Sequence, residues 1–276
     1  MSVRGVALIT GCSSGIGLGI AETLKSHGWR VFATARKAAD VARLSSSGFE
    51  ALQLDVCDPA SMERALATLL TLTGGRLDAL VNNAGIAIPG AVEDLSGDNL
   101  QQQFDTNFFG VVELTRRVLP VMRRQGGGRI VMISSILGRI AMPWRGAYNA
   151  SKHALEGITD TLRLELRGSG IRVSLVNPGP VRSRFRDNSL TNFEHEVDTS
   201  ASVHAGRYEL LKAETGAHKD DQAFTVGPEA VAAKVSHALE SRRPKARYYV
   251  TLPAYVLAAA RCLLPTAWLD AVLARI

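Results

Sequence analysis

Short apolar segments alternate with longer segments of helical periodicity along most of the chain. The short segments are rich in β-branched residues and have the length of buried strands. They read VALIT (6–10), RVFATA (30–35), ALQLDV (51–56), LDALVNNA (77–84), RIVMISS (129–135), IRVSLVNP (171–178) and YYVTL (248–252). Strands separated by helices indicate a parallel sheet that is covered on both faces. The alternation therefore predicts an α/β fold with a doubly wound, seven-stranded parallel sheet.

The whole chain, residues 1–276, is predicted to form one domain. With 46% hydrophobic and 21% charged residues it can bury one large core, and no repeat or low-complexity linker divides it. Residues 182–226 are charged and turn-rich. We expect this insertion to form a substrate lid, because α/β sheets place such long excursions at the carboxyl ends of their strands.

A glycine-rich turn joins the first strand to the first helix. Gly11, Gly15 and Gly17 follow the spacing GxxxGxG within TGCSSGIGLG (10–19). Glycines in a tight turn let the backbone approach a pyrophosphate, and the N–H groups that open the next helix then face that anion. The position of the turn directly after the first strand predicts nucleotide binding.

Charge and cysteine content argue against several other classes of protein. The formal net charge is +6, but the basic clusters are short and lack interleaved aromatic residues, so we expect no nucleic-acid partner. Cys12, Cys57 and Cys262 form no Cys/His ligand pattern, which favours a reducing compartment and no bound metal. The first residues do not read as a secretory signal. We therefore expect a cytoplasmic location.

Six motifs follow one another in a fixed order over residues 5–252. They are TGCSSGIG (10–17), NNAG (82–85), Asn107 in TNFFG, Ser135 in MISS, YNASK (148–152) and NPGPV (177–181). This combination resembles the short-chain dehydrogenase/reductases. The opening GCSSGIG…ATARK resembles the branch that contains hydroxysteroid dehydrogenases, retinol dehydrogenases and bacterial NADP-dependent aldehyde reductases. The resemblance implies a single Rossmann domain that transfers hydride between a nicotinamide cofactor and a carbonyl or alcohol.

Tyr148 and Lys152 lie four residues apart near the start of a predicted helix at 147–160 and so share one face. A carbonyl reduced by hydride needs a proton, and Tyr148 is the matching general acid, or the base in oxidation. An ammonium roughly 5 Å from a phenol lowers its pKa by about two units at an effective dielectric of about 20. Lys152 is expected to supply this charge, and the resemblance implies that it also holds the nicotinamide ribose.

Ser135 and Asn107 complete the expected catalytic group. Ser135 ends the fifth strand, and its hydroxyl would hydrogen-bond the substrate carbonyl. Ser134 is the competing assignment, although strand alternation would point it elsewhere. The resemblance implies that Asn107 holds a water that links Lys152 to solvent. An asparagine within a helix can also serve only local backbone hydrogen bonds.

The resemblance also implies the remaining cofactor contacts. Asp55 ends the third strand, where the family's aspartate meets the adenine amino group, and Ser183 stands where the family often has threonine. The expected cofactor-binding residues are Gly11, Ser13, Ser14, Gly15, Ile16, Gly17, Arg36, Asp55, Val56, Asn82, Ala84, Gly85, Tyr148, Lys152, Pro178, Gly179 and Val181.

The end of the second strand predicts NADP(H) as the cofactor. NAD-preferring members of the family usually have an acidic residue there, which would repel a 2′-phosphate. This chain has Ala35 at that position and Arg36 next. A guanidinium binds a phosphate through two charge-assisted hydrogen bonds. The alternative interpretation of Arg36 is an exposed charge at a strand end.

The C-terminal segment, residues 250–276, is apolar but interrupted. Arg261, Asp270 and Arg275 break it, and no run reaches the roughly 18–20 residues of a spanning helix. We expect the segment to pack beside the substrate cleft or against a neighbouring subunit, while attachment to a membrane surface is not favoured. Resemblance to the family's oligomer faces implies a homodimer or homotetramer.

These features together predict an NADPH-dependent reductase of an aldehyde or ketone with a fairly apolar substrate. The alternative within the same chemistry is an NADP-linked dehydrogenase of a steroid, a retinoid or another secondary alcohol. A regulator that senses NADP without turnover is the alternative from a different class. The intact set of Asn107, Ser135, Tyr148 and Lys152 argues against it.

Overall fold

The computed structural model describes residues 4–200, 202–210 and 224–275. Within them, seven parallel strands form one sheet in the order β3-β2-β1-β4-β5-β6-β7. The strands are β1 (Val6–Ile9), β2 (Arg30–Ala35), β3 (Glu50–Gln53), β4 (Ala79–Asn82), β5 (Gly128–Ile133), β6 (Ile171–Asn177) and β7 (Arg247–Tyr249). The predicted Rossmann-like α/β domain is confirmed.

Helices connect the strands and cover both faces of the sheet. They are α1 (Gly15–Ser26), α2 (Ala38–Ser46), α3 (Pro59–Leu72), α4 (Gly97–Phe104), α5 (Gly110–Arg124), α6 (Gly146–Glu165), α7 (Phe185–Glu196), α8 (Pro228–Glu240), α9 (Leu252–Leu263) and α10 (Thr266–Leu273). A π-helical turn, Asp105–Phe109, joins α4 to α5.

The two faces of the sheet belong to two apolar cores. In β1, Leu8 packs with residues of α3, α5 and α6, whereas Ile9 packs with residues of α1, α2 and α8. Successive side chains of a strand point to opposite faces, so a strand that is buried on both sides must be apolar throughout. All four residues of β1 are buried, which explains the continuous apolar run in the sequence.

The strand order reverses between β1 and β4. Ile9 is registered with Ala33 of β2 on one side and with Val81 of β4 on the other. The chain builds the sheet outward from β1 to β3 and then crosses back to begin the other half at β4. A crevice opens at such a switch point, outside the carboxyl ends of the strands.

The segment predicted as a lid, residues 182–226, contains α7 and a helical stretch at 205–210. Residues 201 and 211–223 lie outside the described part of the chain. The buried Tyr208 fixes the segment to the loop after β4: its hydroxyl accepts a hydrogen bond from the Ala91 N–H at 2.8 Å and donates one to the Asp94 carboxylate. The described part of this segment therefore lies over the carboxyl edge of the sheet.

The apolar C-terminal segment forms α9 and α10. Ala254 and Ala258 of α9 and Leu269 of α10 belong to the same buried cluster as Tyr148. The outer face of the segment is apolar as well, because the side chain of Leu263 is 80% exposed and that of Trp268 is 68% exposed. No helix in the described ranges combines the length and the apolar character that crossing a membrane requires.

Candidate active site

The turn after β1 has a backbone that only glycine suits. Gly11 and Gly15 have φ angles of 70° and 58°, in the left-handed region that side chains disfavour. A Cβ at Gly17 would lie 2.2 Å from the Gly11 carbonyl oxygen and 2.5 Å from Asn83 Nδ2. The glycines therefore allow the start of α1 to close tightly on the turn, which leaves its first N–H groups facing the crevice.

Thr10 and Asn83 hold this turn against the end of β4, and neither was predicted. Thr10 Oγ1 accepts hydrogen bonds from the N–H groups of Asn83 and Ala84, both at 2.9 Å. Asn83 Nδ2 donates to the carbonyl oxygens of Thr10 at 2.9 Å and Gly11 at 3.0 Å. The second asparagine of NNAG could have indicated this role, because a side-chain amide at the end of a strand can hydrogen-bond to two backbone groups.

Asn82, which was expected to contact the cofactor, directs its side chain into the core. Its Nδ2 donates to Thr115 Oγ1 at 2.9 Å and lies 3.2 Å from the Met132 sulfur. The side chain thus joins β4 to α5 and β5, and the expected contact of Asn82 with the cofactor stays a prediction that would have to use its backbone. Ala84 and Gly85, two and three residues further on, lie beside Gly11 and near Lys152.

Tyr148 and Lys152 lie on α6 below the carboxyl end of β5. The two side chains are 9% and 5% exposed. Lys152 Nζ lies 5.7 Å from the centroid of the Tyr148 ring and donates a hydrogen bond to the Ile133 carbonyl oxygen at 3.0 Å. The pair is therefore part of the interior of the crevice and not a solvated helix edge.

Ser135, and not Ser134, is the serine that faces Tyr148. The Ser135 hydroxyl accepts a hydrogen bond from the Leu137 N–H at 3.1 Å, and it makes a side-chain hydrogen bond with Tyr148 that favours the phenolate. Ser134 is buried against Gly138, on which a Cβ would come within 2.8 Å of its hydroxyl oxygen. The alternation of β5 separates the two serines, as expected.

Burial controls the protonation of both groups. It raises the pKa of Tyr148, while the hydrogen bond with Ser135 and the charge of Arg145 act in the opposite direction. Burial also lowers the pKa of Lys152 to about 8, and the carboxylate of Glu156 partly opposes that change. The expected net lowering of the Tyr148 pKa by Lys152 is therefore wrong for this structure, because desolvation outweighs the nearby charges.

Asn107 lies in the π-helical turn before α5, close to Lys152. Its Oδ1 accepts from the Ile86 N–H at 2.9 Å, and its Nδ2 donates to the Ile86 carbonyl at 3.0 Å and to Ser151 Oγ at 3.2 Å. A Cβ on Gly85 would lie 3.2 Å from Asn107 Oδ1 and 3.8 Å from Lys152 Nζ. The side-chain amide of Asn107 is thus already hydrogen-bonded to protein groups, so a water bound here would have to hydrogen-bond to backbone groups. Single π-turns are frequent at functional sites.

A buried carboxylate links the end of β6 to the start of β7. Glu156 accepts from Asn177 Nδ2 at 2.6 Å and from Arg247 Nε at 2.9 Å. Asn177 Nδ2 also donates to the Ser135 carbonyl oxygen at 3.0 Å. Glu156 therefore links the backbone of Ser135 to α6, a positioning role that the sequence pattern does not indicate.

The end of β2 and the helix α2 that follows it carry basic residues beside the glycine turn. Arg36 follows β2, is exposed, and has its carbonyl oxygen held by Gln53 Nε2 at 2.9 Å. Arg43 of α2 donates to the Ser13 carbonyl oxygen at 2.5 Å and to Asp40 at 2.9 Å. Arg43 was not predicted; it reaches over the glycine turn and stabilises it. Asp55 uses Oδ1 to accept from the Cys57 N–H at 2.9 Å.

The segment after β6 reaches from the C-terminal helices to the glycine turn. A Cβ on Gly179 would lie 2.1 Å from Thr251 Oγ1, and the ideal Cβ of Gly15 would lie 2.8 Å from the Cβ of Ser183. Val181 pairs with Val226 in an isolated bridge. Residues 178–183 therefore pass between the C-terminal helices and the glycine turn, and the cofactor contacts of Pro178, Gly179 and Val181 stay predictions.

Cys12 lies inside the glycine turn but is buried and inert. Its thiol donates to the Ile9 carbonyl oxygen at 3.3 Å. Burial raises its pKa to about 12, although a backbone hydrogen bond from Thr34 acts the other way. A thiol with this pKa holds almost no thiolate at neutral pH. Its small side chain fills space between β1 and α1.

Comparison with known proteins gives matches over nearly the whole chain. The family model described as short chain dehydrogenase matches residues 5–193. The oxidoreductase YbbO of Escherichia coli (strain K12) is 45% identical over 267 residues, which cover 96% of this chain and 93% of that protein. The 17-beta-hydroxysteroid dehydrogenase type 1 of Homo sapiens is 36% identical over 265 residues, 90% of this chain and 78% of that protein.

A solved structure gives the same result for the fold. The crystal structure of a short chain dehydrogenase/reductase from Burkholderia phymatum in complex with NAD superposes with a TM-score of 0.78 and 28% identity. The superposition covers 94% of this chain and 92% of that one.

Proposed function

The chain belongs to the short-chain dehydrogenase family and is an oxidoreductase, and from this premise we propose that it reduces an aldehyde or ketone with NADPH. The observation that carries the proposal is the buried Tyr148, which is hydrogen-bonded to the hydroxyl of Ser135 and has the ammonium of Lys152 near its ring. A proton donor, a carbonyl-binding hydroxyl and a cation thus meet at the switch point of the sheet.

The crevice fits a dinucleotide on the evidence of its own backbone. A Cβ at Gly17 would collide with the Gly11 carbonyl oxygen, so the glycines are what lets the turn close on α1, and the first N–H groups of α1 are then available to a pyrophosphate. When bound, the nicotinamide supplies or accepts the hydride. The residues proposed to hold it are Tyr148 and Lys152 at the ribose and Pro178, Gly179 and Val181 at the carboxamide.

The proton is proposed to pass through Tyr148. In reduction, Ser135 and Tyr148 hydrogen-bond the carbonyl oxygen, and Tyr148 gives its hydroxyl proton to that oxygen as the carbonyl carbon gains the hydride, so the product is the alcohol. The Lys152 ammonium then stabilises the phenolate. In oxidation, the phenolate takes the proton from the alcohol. Burial keeps Tyr148 a phenol at neutral pH, which suits the reductive direction.

An apolar substrate is proposed because the surroundings of Tyr148 are apolar. Ile136, Leu137 and Ile140 belong to its buried cluster, and the ring of Phe185 on α7 lies 5.7 Å from the Tyr148 ring centroid. Such walls bury an apolar substrate body and exclude water from the reacting groups.

NADP(H) is proposed over NAD(H) from the chain's own residues. The solved relative from Burkholderia phymatum holds NAD, so the fold by itself is compatible with either coenzyme. Ala35 and Arg36 at the end of β2 favour the 2′-phosphate, because a neutral residue removes repulsion and a guanidinium adds attraction.

Oxidation of a secondary alcohol is the second candidate activity. The observation that favours it is the apolar wall that α9 and α10 add beside Tyr148, which suits a rigid, fully apolar molecule. The printed name of the human relative is that of a hydroxysteroid dehydrogenase. Values of kcat/KM for oxidation of an alcohol and for reduction of the matching carbonyl compound, measured over several such pairs, decide between the two.

A homodimer or homotetramer in the cytoplasm is the proposed state of the protein. Ile158 of α6 and Phe109 at the start of α5 are large exposed apolar residues on the helices expected to form the subunit interface. The three cysteines are free, which suits a reducing compartment. Light scattering of the purified protein measures the assembly, and a monomer at micromolar concentration would contradict this part.

The test of the activity is an assay of NADPH consumption with a panel of aldehydes, retinal and ketosteroids, ranked by kcat/KM. We expect turnover with apolar carbonyl compounds and little with small polar ones. Binding of NADPH by calorimetry, without consumption of any carbonyl compound, would support a regulator that senses the coenzyme and would overturn the proposal.

A further inference from the structure

Two arginines lie near Tyr148, one in the loop before α6 and one at the start of α7. Arg145 is the residue directly before α6 and precedes Tyr148 by three positions. Arg186 is the second residue of α7 and follows Phe185, whose ring packs on the Tyr148 ring. The loop before α6 and the start of α7 thus bring Arg145 and Arg186 (the arginine pair) to the same catalytic side chain.

The arginine pair is close enough for its charges to repel each other. The pKa of Arg145 is lowered, first by desolvation and also by the charge of Arg186, while Tyr148 acts in the opposite direction. The charged end of Arg145 is thus partly shielded from water, although Arg145 as a whole residue is exposed, as is Arg186. Two like charges held near one another at a crevice cost free energy unless an anion compensates them.

Neither arginine has an acidic partner among the residues that the structure describes. The ion pairs there involve other arginines, and Asp187, which follows Arg186 in the chain, bonds to neither. Arg182 and Arg184 add two more exposed positive charges to the same short segment. The segment from 182 to 186 therefore presents cations without carboxylates.

The coenzyme has other candidates for its phosphates. The pyrophosphate position lies at the glycine turn and the start of α1, and Arg36 stands at the adenosine side. The arginine pair is tied instead to the proton-donating end of the crevice through Tyr148 and Phe185. An anion bound there belongs to the molecule whose carbonyl Tyr148 protonates.

We propose that Arg145 and Arg186 bind an oxyanion group of the substrate, so that the substrate is a carbonyl compound with an apolar body and an anionic end. A carboxylate or a phosphate monoester meets this description, since a guanidinium binds either through paired hydrogen bonds. The inference rests on the proposed reductase function and adds the class of substrate to it.

The test compares acids with their neutral esters. The substrates are 6-oxohexanoate and 9-oxononanoate, each beside its methyl ester, and the readout is the ratio of kcat/KM for acid over ester. This ratio cancels any effect of Arg145 on the acidity of Tyr148, because that effect is common to both substrates. We expect at least one acid to be preferred by roughly tenfold or more, the size of one charged hydrogen bond.

Variants then assign the preference to the arginine pair. Arg145→Gln and Arg186→Gln should each lower the acid-to-ester ratio by about tenfold, and Arg145→Lys should restore part of it. The matched control is Arg124→Gln, which removes one exposed charge at the far end of α5 and should leave ratio and rates unchanged. A high concentration of salt should lower the ratio in the wild type.

Binding measurements keep the inference separate from the proposed function. Nonanoate, octyl phosphate and neutral nonanamide are titrated calorimetrically into the protein with NADP⁺, and we expect nonanoate or octyl phosphate, whichever matches the natural group, to bind at least about tenfold more tightly than nonanamide. If no aldehyde is turned over, the proposed function fails while this titration still decides the inference. The inference is wrong if the three ligands bind equally, or if neither substitution changes the acid-to-ester ratio. It is also wrong if the substitutions raise only the KM for NADPH.

Discussion

The ammonium of Lys152 lies 5.7 Å from the ring centroid of Tyr148, and its hydrogen bond goes to the Ile133 carbonyl. Both side chains are buried. Burial disfavours the charged form of each group, so it raises the pKa of the tyrosine and lowers that of the lysine. The pKa values of free tyrosine and lysine are nearly equal, and burial moves them apart, so that Lys152 loses its proton before Tyr148 does as the pH rises.

This relationship predicts how the reaction depends on pH. The pKa of Lys152 is lowered to about 8, so its ammonium is present below that pH and lost above it. Tyr148, with its raised pKa, stays protonated through the same range. We expect kcat/KM for carbonyl reduction to fall as the pH rises through about 8.

The measurement is a series of initial rates across that pH with saturating coenzyme. Lys152→Arg serves as the matched variant, because a guanidinium keeps its charge well above this range. Its rate should be lower, but the decline near pH 8 should disappear. A wild-type profile that stays flat through this region would contradict the assignment of the charge to Lys152.

Tyr148→Phe separates proton transfer from binding. The ring remains in place against Phe185, while the transferable proton is lost. We expect kcat to fall by about a hundredfold to ten-thousandfold, the usual contribution of a general acid, with the dissociation constant for NADPH changed less than about threefold. Substantial remaining turnover in this variant would remove Tyr148 from the mechanism.

Gly17→Ala tests the tight closure of the turn. The new Cβ would come 2.2 Å from the Gly11 carbonyl oxygen, so the turn or α1 must shift, at a cost of about 1–3 kcal/mol in unfolding free energy. NADPH binding should be lost with it. The control is Gly97→Ala, where nothing lies within 4 Å of the added Cβ; this variant should keep both stability and binding. Normal NADPH affinity in Gly17→Ala would contradict the proposed pyrophosphate position.

The sequence predicts those parts of the molecule that depend on local pattern. The buried strands, the glycine turn and the helix that carries Tyr148 and Lys152 all follow from spacings within a few residues. Strand ends were less accurate. The third strand was expected to reach Val56 but ends at Gln53, because Asp55 accepts a hydrogen bond from Cys57 and turns the chain there.

Contacts between distant segments could not be predicted. Arg43 reaches Ser13 across 30 residues, and Arg247 reaches Glu156 across 91. A spacing rule carries no information about such partners, since only the assembled sheet brings them together. The same reason explains the error about Tyr148: its pKa depends on how deeply packing buries it, and packing is a property of the whole fold.

The last prediction concerns the choice between NADPH and NADH. Variants of two arginines distinguish the possible causes of that choice. Arg36 is exposed at the end of β2 with no hydrogen bond from its guanidinium to the described residues, whereas Arg43 is bonded to the Ser13 carbonyl and to Asp40. Arg36→Leu should therefore raise KM for NADPH roughly tenfold to a hundredfold, the value of one charged contact, and leave NADH almost unchanged.

Arg43→Gln should instead weaken NADPH and NADH by similar factors, because it loosens the turn that both coenzymes share. The wild type should prefer NADPH by roughly tenfold to a hundredfold in kcat/KM. Steady-state kinetics with both coenzymes on the three proteins measure all of these effects. If the wild type used NADH as well as NADPH, the 2′-phosphate would have no effective partner and the role of Arg36 would be wrong. If Arg43→Gln were as selective as Arg36→Leu, the phosphate contact would belong to both arginines, and the guanidinium of Arg43 would have to leave Ser13 when the coenzyme binds.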